Sequence, residues 1–135
     1  MKAKLASEIT QDEIMNAIYA LPNGKSPGLD GVPHEFWKTL LDRYKSSAAS
    51  AKAKFDVTKT LRILTNDIEQ NGLIPESNFS ERWMCPIFKK GDCTNIANYR
   101  PITVLNADYK ILTCVLAMRL ADAVPNIIHK DQAGL

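Results

Sequence analysis

The sequence predicts an α+β fold, mainly helical, with a small antiparallel sheet of two to three strands, and three observations carry that reading. Before residue 75, three stretches repeat apolar residues at intervals of three and four, the spacing of amphipathic helices. Between Trp83 and Leu105, two short runs suited to a pleated surface flank a polar connection. A further helical repeat, Leu112, Val115, Leu116 and Leu120, follows directly. At 135 residues the chain is long enough for one modest core and short for two, so residues 1–135 are expected to form a single domain. A hydrophobic content of 45% with 24% charged residues is that of a globular chain and excludes disorder along its whole length.

The first helix is signposted by Thr10 and Glu13, a capping box, with Ile9 and Ile14 at the two positions of a hydrophobic staple. Ile14, Ala17, Ile18 and Leu21 then form one apolar stripe, which Pro22-Asn23-Gly24 ends. Residues Gly24 to Pro33 hold three glycines and two prolines, a shaped loop in which Gly24, Gly28 and Gly31 are free to take positive φ. Its Gly-Lys-Ser is not a phosphate-binding P-loop, because Tyr19 stands where that motif needs its first glycine. A rigid connector between helices is the plain reading of this loop.

Pro33 suits a helix's first position, and Phe36, Trp37, Leu40, Leu41 and Tyr44 continue at helical spacing. Residues 46–54 are rich in Ser, Ala and Lys, and a frayed helix end, a solvent-facing bridge and a flexible linker all fit that composition. Val57, Leu61, Leu64 and Ile68 make the packing seam of a third helix, closed by Gly72 and Pro75. The two strands are expected over residues 83–88 and 100–105, where Pro86 and Pro101 each remove a ladder donor and so point to edge strands. Asn106 stands at the N-cap of the last helix, with Asp108 in its first turn, where the helix dipole favours a carboxylate. Trp37 and Trp83 both lie in apolar patterns and are expected in the core rather than as base-stacking platforms.

The net charge of +2 does not steer the chain to a polyanion; the clustering of charge does more. Between Met84 and Leu120, Lys89, Lys90, Arg100, Lys110 and Arg119 face only Asp92 and Asp108. Lys89 and Lys90 flank a turn from which long cations reach phosphate oxygens, and Arg100 stands at a strand start where a bidentate phosphate contact is geometrically reasonable. A solvated surface turn with ion pairs accounts for the same residues equally well. Cys85, Cys93 and Cys114 have no metal-ligand spacing, and His34 and His129 lie far from them, His34 reading as a polar first-turn side chain. No metal and no resident cofactor is therefore expected. Unpaired thiols and the lack of a long apolar run predict an intracellular chain, nuclear or cytoplasmic, with no membrane partner.

The order Pro-Ile-Phe-Lys-Lys-Gly-Asp at 86–92, Asn-Tyr-Arg-Pro-Ile-Thr-Val-Leu-Asn at 98–106, Tyr-Lys-Ile-Leu at 109–112, Arg-Leu at 119–120 and Gln-Ala-Gly at 132–134 closely resembles the reverse transcriptases of LINE-type, non-LTR retrotransposons. Gly-Lys-Ser-Pro-Gly-Leu-Asp-Gly at 24–31 resembles the same family, so the likeness runs from about Ile9 to Leu135. The family's pattern has Phe where Leu135 stands here. The resemblance implies the fingers and the start of the palm of such a polymerase, with the basic hairpin touching template or nucleotide phosphates and Lys25 adding an RNA contact. It further implies no catalytic residue in this chain, because the family's metal-binding aspartates come later in its order. Magnesium is expected only for a complete polymerase, whose phosphoryl transfer runs on two metal ions.

The expected function is thus weak binding of RNA or single-stranded DNA through Lys89, Lys90, Arg100, Lys110 and Lys25, without enzyme activity alone. The alternative is a domesticated structural or protein-interaction module that associates with itself. In either case a homo-oligomer is expected, closed over Ile111, Val115 and Met118, over Ile127 and Ile128, and along the strand edges from Trp83 to Phe88.

Overall fold

The computed structural model describes residues 5–46 and 55–124. The expected segment 46–54, apart from Ser46, and the pair Ile127-Ile128 lie outside them. The elements in chain order are α1 (Gln11–Ala20), α2 (His34–Ser46), α3 (Val57–Asn71), a 3-10 turn (Asn78–Ser80), β1 (Arg82–Phe88), a second 3-10 turn (Ile96–Asn98), β2 (Tyr99–Leu105) and α4 (Ala107–Ala123). This is the mainly helical α+β fold of the sequence reading, with the sheet reduced to two antiparallel strands.

The capping box of α1 forms as spaced: the Glu13 N–H donates to Thr10 Oγ1, and Glu13 Oε2 accepts from the Thr10 N–H at 2.9 Å. Both residues of the staple, Ile9 and Ile14, are fully buried, so the chain's entry into α1 is fixed by packing as well as by hydrogen bonds. The core joins Ile9, Ile14, Ala17 and Ile18 to Leu41 of α2, Val57 and Leu61 of α3, and Ile111, Leu112 and Val115 of α4. No strand residue belongs to it.

Two helix faces differ from the sequence expectation. In α3 the buried side is Val57, Thr58, Leu61, Thr65 and Asn66, whereas Leu64 is exposed. The rotation has a polar cause: Asn66 accepts from the Ile9 N–H at 2.7 Å and donates to the Ile9 carbonyl at 3.0 Å, pairing both backbone groups of a buried residue. In α4, Ile111 and Val115 are fully buried rather than left uncovered, and the outward residues are Leu116, Met118 and Leu120. The α4 helix packs against α1, so Ile111 and Val115 are spent inside the chain, whereas Met118 is exposed as expected.

Asn106 occupies the N-cap position of α4, but its side chain makes no cap hydrogen bond. Its Oδ1 accepts from the Asp30 N–H at 3.3 Å and its Nδ2 donates to the Asn78 carbonyl at 3.4 Å, so it ties the glycine loop and the first 3-10 turn to the start of α4. Gly28 shows how closely the loop docks: a Cβ there would stand 2.5 Å from the backbone N and Cα of Asn106. Gly24 and Gly31 take positive φ as expected, whereas Gly28 does not and is needed for close approach instead.

Among the described residues the strands form a two-stranded ribbon with no third neighbour. Register pairs Arg82 with Leu105, Cys85 with Ile102, Ile87 with Arg100 and Phe88 with Tyr99, and sets Pro86 opposite Pro101. The Lys89 N–H donates to the Asn98 carbonyl at 2.9 Å, one step beyond Phe88 and Tyr99. Alternation from that bond makes Pro86 and Pro101 a pair that exchanges no hydrogen bonds, so their missing donors face outward and the ladder within the ribbon is intact. Among the described residues both edges are open, in keeping with the prolines. Burial along the ribbon is low on both faces, and Trp83, with 61% exposure, is not the core residue expected from its apolar neighbours.

Candidate nucleic-acid interface

The ribbon's far end is a built loop rather than a simple turn. Gly91 takes φ of 93°, and Asp92 Oδ1 accepts from the Thr94 N–H at 2.9 Å and from the Thr94 hydroxyl at 2.8 Å. Those two bonds hold the Asp92 carboxyl below its ordinary range. Asn98 Nδ2 donates to the Asp92 carbonyl, and the Tyr99 hydroxyl donates to the Cys93 carbonyl at 2.9 Å. The Phe88 and Tyr99 rings, 5.4 Å apart across the strands, close the base of the loop.

Lys89, Lys90 and Arg100 surround this loop and are exposed. Asp92 is the sole carboxylate from Arg82 to Leu105, and it is turned into the loop's own hydrogen bonds. Among the described residues no acidic side chain pairs with the three cations, which leaves a local positive field at the tip. Strand alternation puts Lys89 on the same ribbon face as Ile87 and its partner Arg100, as diagonal neighbours.

The other two candidates stand elsewhere. Lys110 lies half-buried in the first turns of α4, and Lys25 is exposed in the glycine loop that docks on Asn106. Seven strand residues separate this base from the tip, about 23 Å. The five residues named from the sequence therefore form a tip trio and a base pair, not one patch.

Arg119, counted with the basic cluster on sequence, has a different role altogether. It is buried, its Nε and Nη2 donate to the two Glu13 carboxylate oxygens at 2.7 and 2.8 Å, and its guanidinium also donates to the Ser7 and Glu8 carbonyls. The Arg119 bond is the main reason that the Glu13 carboxyl is held down to about 2, and the same bond raises the Arg119 guanidinium. Its donors are thus spent on acceptors within the chain. Sequence spacing gives no hint of it, because Glu13 and Arg119 are 106 positions apart.

At the base, Asp108 is half-buried, and burial, with a smaller contribution from Asp30 nearby, pushes its carboxyl above the usual range. The dipole argument for Asp108 is thus outweighed by desolvation. His34 is the first residue of α2, the polar first-turn position expected, and it is buried there, its Nδ1 donating to the Pro22 carbonyl at 2.9 Å. Among the described residues no group of three His, Cys, Asp or Glu side chains is placed to hold a metal ion, and no helix is long and apolar enough to cross a membrane.

No protein-family model matches the chain. It is 32% identical over 132 residues, 98% of its length, to the uncharacterized 149 kDa protein of transposon TX1 from Xenopus laevis. It spans 9% of that protein.

Proposed function

We propose, from this likeness to a transposon protein, that the chain is the fingers portion of a LINE-type reverse transcriptase and that it binds nucleic acid weakly through the ribbon tip. The observation that carries the reading is the exposed trio Lys89, Lys90 and Arg100 around a loop whose single carboxylate is turned inward. Such an end meets phosphate oxygens without an acidic neighbour to compete for the cations. Lys110 and Lys25 at the base are a second, separate contact region. Binding through a few phosphates releases few counterions, so affinity is modest and falls with salt.

Replacing Lys89, Lys90 and Arg100 together by Ala tests this. Affinity for RNA or single-stranded DNA should drop and the dependence on salt should flatten by about three phosphate contacts. An unchanged titration removes the site. The chain alone is also expected not to extend a primer with magnesium or manganese, because the family's metal-binding aspartates stand later in its order; template-dependent incorporation by the pure protein would contradict this.

Self-association is the second reading, and the ribbon favours it: Trp83, Met84, Ile87, Phe88 and Ile102 are all exposed. A two-fold pairing of ribbon faces would cover the same patch on both copies. Light scattering over a concentration series decides, a constant monomer mass defeating this reading.

A further inference from the structure

We infer that one face of the ribbon, the face of Trp83, Ile87, Arg100 and Ile102, is a stacking platform for the bases of a single-stranded nucleic acid. The inference rests on the proposed phosphate contact at the tip and adds to it the face and the class of strand.

Register and alternation divide the ribbon into two faces of different character. One carries Met84, Thr103, Pro86, Pro101, Phe88 and Tyr99. Its aromatic pair is already used, the rings packing on each other and the Tyr99 hydroxyl bonded to the Cys93 carbonyl, so it serves the tip loop. The opposite face sets Trp83 beside Val104, Cys85 beside Ile102, and Ile87 beside Arg100, with Lys89 continuing the row. Here Trp83 is 61% exposed, Ile87 53% and Ile102 43%, and among the described residues the indole of Trp83 has neither a ring partner nor a hydrogen bond.

An exposed indole on a narrow ribbon, in line with two cations and no carboxylate between them, matches a strand that offers flat apolar bases on one side and phosphates on the other. A base stacks on a π-face whatever its identity, so the platform is tolerant of sequence. A duplex fits poorly, because its bases are already stacked and expose only their edges. A bare protein surface would use the apolar residues and leave Arg100 and Lys89 to be desolvated unpaired, which is costly. The cation row therefore selects a polyanion.

Trp37→Phe leaves Trp83 as the only tryptophan of the two in the chain. This protein is titrated at low salt with a labelled oligo-dT or oligo-rU of about twelve nucleotides and with a blunt duplex of the same length, following probe anisotropy and Trp83 emission together. Trp83 emission should be quenched as the single strand binds. Trp83→Ala should weaken binding at least about fivefold with its salt slope unchanged, since stacking releases no counterions, and Trp83→Phe should recover most of the loss. Circular dichroism of the exposed-site variants should be unaltered. If the probe binds through Lys89, Lys90 and Arg100 while Trp83 emission stays flat and Trp83→Ala binds as before, the platform is overturned and the phosphate reading stands. If the duplex binds as tightly as the single strand, the strand class is wrong. If neither probe binds, both readings fall.

Discussion

The bond between Arg119 and Glu13 ties α4 to the start of α1 and links stability to pH. Glu13's carboxyl is depressed to about 2 from 4.5, so its stabilisation is complete above about pH 4.5 and is lost as pH falls through the folded value. Glu13→Gln is expected to cost about 2 kcal/mol at pH 7 and to flatten the loss of stability between pH 4.5 and 2 relative to the parent protein, as read from urea midpoints. Equal slopes for the two proteins would show that another carboxylate carries the acid limb. Asp108 has the opposite sign: its raised folded value means that folding loses stability as pH rises through the carboxylate range. Asp108→Asn should therefore raise the Tm at pH 7 and leave it nearly unchanged at pH 3. Asn66 is a third such residue, since Asn66→Ala would strand the buried N–H and carbonyl of Ile9, a loss of about 2 kcal/mol or more.

At the scale of elements, the docking of the glycine loop on α4 makes the sharpest forecast. Gly28→Ala drives a Cβ into the backbone of Asn106, which has no far end to swing away, and should destabilise by about 1–3 kcal/mol. Gly31→Ala meets nothing within 4 Å and should cost only the strain of its positive φ. Comparing the two melts separates close approach from backbone conformation. Helix α1 was legible in the sequence because it buries one stripe and its cap is local: Thr10 with Glu13 needs only three residues of context. The strand positions were legible too, each strand starting one residue before its expected start. What could not be read was what each face meets. An apolar run such as Trp83 to Phe88 looks the same whether a third layer covers it or nothing does, and the buried polar side chains Asn66, Asn106 and Arg119 act on partners 28 to 112 positions away. The tip cations were visible as a cluster in sequence, but their separation from Lys110 and Lys25 is a property of strand length and direction.

At the scale of the molecule, the described residues join a helical body with a small core to a ribbon that contributes no residue to that core. A two-stranded ribbon without a buried face is marginal in water. Amide hydrogen exchange should accordingly show the ribbon opening at much lower free energy than α1 and the buried turns of α4, and equal protection throughout would mean that something covers the ribbon in solution. The facing prolines bear on this exposure. Each outer edge of the ribbon offers a carbonyl but no N–H midway along its length, and the two gaps lie at the same level. A foreign strand that aligns with either edge runs out of ladder after about three residues, too few for fibril-like stacking to propagate. A hairpin with uncovered tryptophan, phenylalanine and isoleucine side chains thus carries its own gatekeepers, and the faces and the tip are left as the surfaces through which it can be approached.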